Sequence, residues 1–177
     1  MTPFARRLLG AASLDRAAYE DVEADASATG QAVGVVVLAS VAGGIGLLGL
    51  GSQGASSLVA GIAGSLIGWV AWATLTYLIG TRLLPEPQTK ADVGELLRTI
   101  AFASAPGFLR MFGVVPFLGL TIYAIASIWM LLAMIVAVRQ ALDYRSTARA
   151  VGVCVVGWAL SLAIAAVFGT FFATPVS

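Results

Sequence analysis

Histidine is absent from the chain and cysteine occurs once, at Cys154. That excludes an intrachain disulfide and the usual zinc and haem ligand sets, so no metal site and no cofactor is expected. Charge is scarce as well: 11% of the 177 residues are charged and the formal net charge is +1, where soluble proteins carry about a quarter. A nucleic-acid partner, which calls for a basic surplus, is therefore not expected. The common catalytic patterns are missing too. There is no histidine base, no glycine loop closing on Lys-Ser/Thr, no Gly-x-Ser-x-Gly elbow and no acid inside an apolar run, so the expectation is no catalytic residue and no enzymatic activity. A proton-coupled carrier would also normally place an acid in a span. Met1 to Asp25 holds three arginines, five acids and no secretory-type apolar core, so a cleaved signal peptide is not expected.

Apolar residues are what the chain has in abundance, 59% of the total, with a mean hydropathy of +0.95. Such a composition describes an integral membrane protein built as one helical bundle, since no polar stretch is long enough to hold a separate soluble core. Residues 1–30 form a polar, cytosolic N-terminal segment. Within it Leu14, Ala17, Ala18 and Val22 fall at helical spacing opposite Arg16, Glu20 and Glu23, which predicts a short amphipathic helix at the interface. Residues 31–177 form a transmembrane domain whose apolar runs cover about 32–50, 58–79, 96–115, 117–138 and 150–172. The uncharged segment Gly51 to Ser57 reads as a turn between the first two. Trp69, Trp72 and Tyr77 suggest an aromatic belt near the inner interface. Asp92 with Glu95 resembles a capping box opening the third run, and Thr174 to Ser177 is an uncharged tail.

The third run is the unusual one. Pro106-Gly107 interrupts its middle and Arg98 and Arg110 flank the break, so it can be read as a kinked span, a re-entrant hairpin or a surface helix. Basic-residue placement favours a crossing. With five crossings, Arg6, Arg7, Arg16, Arg82, Lys90, Arg139, Arg145 and Arg149 share one side, which should be the cytoplasm. If the third run folded back, the 139–149 loop would lie outside, against the rule. The expected fold is thus all-α, with five transmembrane helices, the third kinked at Pro106-Gly107, the N-terminus cytosolic and the C-terminus outside.

Several stretches, taken in order, resemble the bacterial branch of the Yip domain family. They are Leu14-Asp15-Arg16-Ala17-Ala18-Tyr19-Glu20, the polar entry Ala91 to Arg98 with Phe102-Ala103-Ser104-Ala105-Pro106-Gly107, then Val115-Pro116-Phe117-Leu118-Gly119, Trp129 with Ala137 to Leu142, and Arg149-Ala150. The resemblance implies five spans with a cytosolic N-terminus, no enzymatic activity and a bacterial cytoplasmic (inner) membrane. Eukaryotic members are named for interacting with Ypt/Rab GTPases and are linked to trafficking and membrane shaping. This chain lacks their Asp-Leu-Tyr-Gly-Pro motif and long N-terminal region, so a Rab-type partner is not implied.

Two sets of residues are candidates for function. Around the break, Pro106 removes a donor and frees the carbonyl of Phe102, which Ser104 or a neighbouring helix could satisfy; the site is either a packing kink or a broken helix lining a pathway. Arg98 and Arg110 lie about 18 Å and 120° apart on a helix. Arg98 is expected to pair with Glu95 and reach the cytosolic headgroups, and Arg110 to reach outward or bind lipid phosphate. The second set is the loop Arg139, Asp143, Tyr144, Arg145 and Arg149, either a solvated turn or a contact for lipid or a cytosolic partner. Small residues at fourfold spacing, Ala60, Gly64 and Gly68 on the second run and Gly157, Ser161, Ala165 and Gly169 on the fifth, allow close packing. So do Gly30 with Gly34 and Ser40 with Gly44 on the first. Either intramolecular packing or a homo-oligomer would use them. The functional expectation is a non-enzymatic membrane scaffold or organising factor contacting lipid and protein; the alternative is a small channel, transporter or lipid-moving protein using the broken third run.

Overall fold

The structure is a computed structural model describing residues 1–49 and 55–172, and side chains of 1–48 and 59–163. Within these residues all regular structure is helical, with no strand. The helices are α1 (Pro3–Ala12), α2 (Arg16–Ala24), α3 (Thr29–Gly49), α4 (Ala55–Leu78), α5 (Val93–Phe102), α6 (Gly119–Ala141) and α7 (Thr147–Phe172). A 3-10 turn at Ala26–Ala28 leads into α3, a π-helical turn at Ile79–Leu83 ends α4, and a ten-residue 3-10 segment, Ala105–Val114, follows α5. Three stretches are long and apolar enough to cross a membrane, Ala26–Leu48, Val59–Leu83 and Gly119–Ala141, with a further apolar stretch at Thr147–Ala163. Of the turn expected at Gly51–Ser57, the first four residues lie outside the described residues and the rest begin α4; the tail Thr174–Ser177 lies outside them too.

The N-terminal segment forms two helices rather than one. Thr2 and Asp15 cap α1 and α2 through their side-chain oxygens, satisfying N–H groups that no helix turn can. Between the helices Leu14 adopts φ 62°. The Leu14 N–H reaches the Ala11 carbonyl and the Asp15 N–H the Gly10 carbonyl, the paired bonds of a Schellman motif. At Gly10 a Cβ would stand 2.5 Å from that of Ala18, so glycine lets the two helices close on each other. The buried Tyr19 donates to the Ala11 carbonyl at 3.0 Å, tying α2 back to α1.

The third apolar run is where expectation and structure differ most in detail. The α-helix stops at Phe102, before the proline, and Pro106 falls at the start of the 3-10 segment, where a missing N–H leaves little unsatisfied. The hydroxyl of Ser104 donates to the Ala101 carbonyl at 2.6 Å and not to Phe102. Along this segment Gly107 lies beside Ala39 of α3 and Met130 of α6, while Gly113 meets Gly46 of α3 and Arg110 meets Ser127 of α6. Numbering therefore rises together along α3 and the 3-10 segment, and oppositely along α6. A Cβ on Gly46 would collide with the Arg110 carbonyl, so the two backbones pack directly on each other. By contrast, Cβ atoms at Gly30, Gly34, Gly64 and Gly68 would meet nothing among the described residues, and Ala60, Gly64 and Gly68 are exposed.

Two apolar clusters form the core. One gathers Tyr19, Val22, Val35, Phe102 and Ala137, where the N-terminal helices meet α3, α5 and α6. The other gathers Ile79, Leu96, Val138, Leu142, Tyr144 and Val153 at the end shared by α4, α6 and α7. The tryptophans expected in a belt turn inward: Trp69 donates to the Leu97 carbonyl at 2.9 Å, and Trp72 lies over Gly157.

Candidate functional site

Arg98 is 8% exposed and sits one turn inside α5. Asp92 and Glu95 form a complete capping box at the start of that helix, with Glu95 accepting from the Asp92 N–H at 2.8 Å and Asp92 from the Glu95 N–H at 2.9 Å. The carboxylate of Glu95 is thereby engaged, and the expected Arg98–Glu95 pair does not form. Arg98 instead donates to the carbonyls of Val22 (3.1 Å) and Glu23. These belong to the last turn of α2, whose carbonyls have no helical partner and carry the negative end of the helix dipole. A guanidinium from α5 thus caps α2 and fastens the N-terminal helices to the bundle. Trp129 of α6 adds a bond to the Ala12 carbonyl at 2.7 Å, and Gln140 one to Glu20 at 3.0 Å.

A second buried arginine works beside it. Arg7 is 7% exposed and pairs with Asp21 at 2.9 Å and Asp25 at 2.7 Å, with Gln31 of α3 at 3.3 Å. Arg7 holds the Asp21 carboxyl below its ordinary range, and bonds from Ser27 and Arg7 hold Asp25 at about 2. Glu23 moves the other way. Burial, then the charges of Glu95, Asp143 and Glu20, raise it to about 7 against the pull of Arg98.

The 139–149 loop is built, not merely solvated. The α6 helix ends in a Schellman motif, with Tyr144 N–H on the Arg139 carbonyl, Asp143 N–H on the Gln140 carbonyl, and Asp143 at φ 54°. Tyr144 is buried, and its hydroxyl lies 2.9 and 2.7 Å from the carbonyls of Gly80 and Leu84, which the π-turn leaves free. Burial pushes the Tyr144 phenol up to about 12. Arg139 donates to the carbonyls of Tyr144 and Arg145. From the 84–92 connection, Glu86 accepts from the N–H groups of Arg145 (3.0 Å) and Ser146 (3.4 Å), so a carboxylate caps the start of α7; Arg149 meets the same carboxylate at 3.5 Å and donates to the Pro85 carbonyl. Those bonds keep Glu86 below its ordinary range.

Arg110 has a different environment. One of its nitrogens donates to Ser127 at 3.0 Å, and its guanidinium carbon lies 4.8 Å from the centre of the Tyr123 ring. Its Nε is shielded from solvent and has no partner among the described residues; the same holds for Trp72 Nε1. Both side chains line a cavity of about 780 Å³ between α4, α6 and α7, whose walls include Met130, Met134, Val155 and Trp158. The candidate residues around the break thus have separate settings. Pro106 and Gly107 are buried packing positions, Ser104 closes a turn, Arg98 belongs to the N-terminal helices and Arg110 to the cavity. Arg7, Trp72, Glu86 and Gly46 were not singled out from the sequence for these roles. For Glu86 and Arg149 the signal was the clustering of charge in two loops that positive-inside placement put on one side.

No curated protein and no solved structure matches the chain. The Yip1 domain family matches over residues 15–168, from the cap of α2 almost to the end of α7. The chain is an integral membrane protein and belongs to the Yip1 domain family.

Proposed function

We propose that the protein is a non-enzymatic membrane scaffold or organising factor, presenting a fixed cytosolic face to a protein or lipid partner. The observation that carries this reading is how the polar groups at that end are spent. Arg98, Arg7, Tyr144, Glu86 and Arg139 all bind the chain's own backbone or close partners, locking α1, α2 and the two loops to the bundle. A gate would need such contacts to exchange, whereas a docking face needs them held. The uncovered small-residue strip Ala60, Gly64, Gly68 on α4 offers a membrane-level contact for a partner or a second copy.

The topology that goes with it has residues 1–30 as a cytosolic segment with interfacial helices and 31–177 as a five-span domain in a bacterial inner membrane. Ten α residues and ten 3-10 residues give α5 with its 3-10 segment about 35 Å, matching α6. The parallel course of this segment beside α3 also favours a third crossing, bent where the α-helix gives way to 3-10. In this arrangement the N-terminus is cytosolic and α7 runs outward.

Affinity purification of the full chain from native membranes should return a stoichiometric partner, while purified protein in liposomes moves no ion, solute or labelled lipid. Movement abolished by Arg110→Ala in a folded protein would overturn the scaffold and favour the pathway. A cysteine placed at Tyr144 and labelled from outside would overturn the topology.

A further inference from the structure

We propose that the cavity between α4, α6 and α7 is a binding site for an anionic phospholipid, with its phosphate on Arg110 and its acyl chains along the apolar walls. The first support is charge. All nine acids of the chain lie in residues 15–25, in the 86–95 connection and entry, and at Asp143. The sequence holds no side-chain acid in residues 26–85, 96–142 or 144–177. A guanidinium in an apolar setting costs free energy unless an anion or a full set of acceptors meets it. Arg110 offers five N–H donors in a fork suited to phosphate, and among the described residues only Ser127 accepts from it, at 3.0 Å.

Geometry supplies the second support. Trp72 stands in the wall of the same cavity, its indole N–H shielded from solvent and without a partner among the described residues. Among the described residues that line it, Arg110 is the one charged group, and none is an acid. The remaining lining is apolar, and Leu131, Val155, Trp158 and Leu162 are 51, 60, 65 and 63% exposed. In a bilayer these residues face acyl chains, so the cavity opens sideways to lipid. Its volume of about 780 Å³ lies within the roughly 300–1,000 Å³ typical of small-molecule sites. An amphiphile with a phosphate at one end and hydrocarbon at the other fits one guanidinium set among apolar walls. The inference requires only that the chain lie in a bilayer, and it stands whether or not the scaffold reading does.

The test is native mass spectrometry of the full chain taken from equimolar phosphatidylglycerol and phosphatidylcholine. The expected result is one phosphatidylglycerol retained at least tenfold over phosphatidylcholine, lost in Arg110→Gln and largely kept in Arg110→Lys. Val155→Trp, which fills the cavity without touching a polar group, should also lose it. Arg145→Gln, on the exposed loop, should not. Equal retention of the two lipids, retention unchanged in Arg110→Gln or in folded Val155→Trp, or a free phosphate adduct in place of the lipid would each overturn the site.

Discussion

Arg98 and Arg110 come from one apolar run, twelve positions apart, and the fold treats them oppositely. Arg98 is closed in by α2 and spends its donors on two carbonyls that the end of that helix leaves bare. Arg110 rests on one serine and one aromatic ring beside a cavity, and pairs with no acid among the described residues. The difference lies in the neighbours. At the end of the bundle where α2, α5 and the loops meet, helix termini and turns supply unpaired carbonyls in quantity, and a guanidinium there completes the backbone's own hydrogen bonding. Beside Arg110, the long apolar helices use their carbonyls internally and offer a guanidinium little. The first arginine is therefore part of the structure, and the second is left available to something outside the chain.

Removing Arg98 should do the most damage. Arg98→Ala leaves two carbonyls without a partner and frees α1 and α2, which should cost about 3 kcal/mol, read as a lowered unfolding temperature and protease cleavage near residues 13–16. If Arg98→Ala and Arg110→Ala prove equally costly in zwitterionic lipid, the contrast fails. Gly46→Ala comes next, at about 2 kcal/mol, because its Cβ would strike the Arg110 carbonyl and force α3 from the 3-10 segment; Gly64→Ala, with open space around it, should be neutral in the same assay. Tyr144→Phe should cost about 1–2 kcal/mol through the two carbonyls it uncovers, leaving the cavity and its lipid untouched.

A smaller effect should be seen with pH. Glu23 has a raised value, about 7 against an ordinary 4.5, so the folded state binds its proton more tightly. Its contribution is complete below pH 4.5 and is lost as pH rises through 7. Asp21 and Asp25 are lowered from an ordinary 3.8; their contribution is present above that value and lost as pH falls below it. Protection of α2 amides in hydrogen exchange should be greatest between these limits and should fall from pH 6 to 8. Glu23→Gln should flatten the alkaline side and leave the acid side. An unchanged alkaline slope would mean that Glu23 does not couple to the docking.

Local chemistry was readable in the sequence and long-range partners were not. Asp92 and Glu95 announce their capping box because both halves lie within one turn. The clustering of Arg139, Arg145 and Arg149 in one loop and of Arg82 and Lys90 in another is plain from charge, and order along the chain was enough for the family. One-turn spacing makes an Arg98–Glu95 pair look ready-made; the true acceptors lie some 75 residues earlier, at a helix end that sequence alone does not place beside α5. Spacing rules also favoured the strip Ala60, Gly64, Gly68, which stands open, and passed over Gly46 and Gly113, whose contact depends on the 3-10 course of 105–114. A proline read as a mid-helix interruption is instead an opening residue of that segment, because the α-helix had already ended.

The division between the two arginines is tested most directly by measuring the unfolding temperature of the wild type, Arg98→Ala and Arg110→Ala in anionic and in zwitterionic bilayers. Arg98→Ala should lower it by the same amount in both. The wild type should gain stability from anionic lipid, and Arg110→Ala should lose that gain while matching the wild type in zwitterionic lipid. An Arg98→Ala deficit that depends on lipid charge, or an Arg110→Ala deficit that does not, would contradict the account.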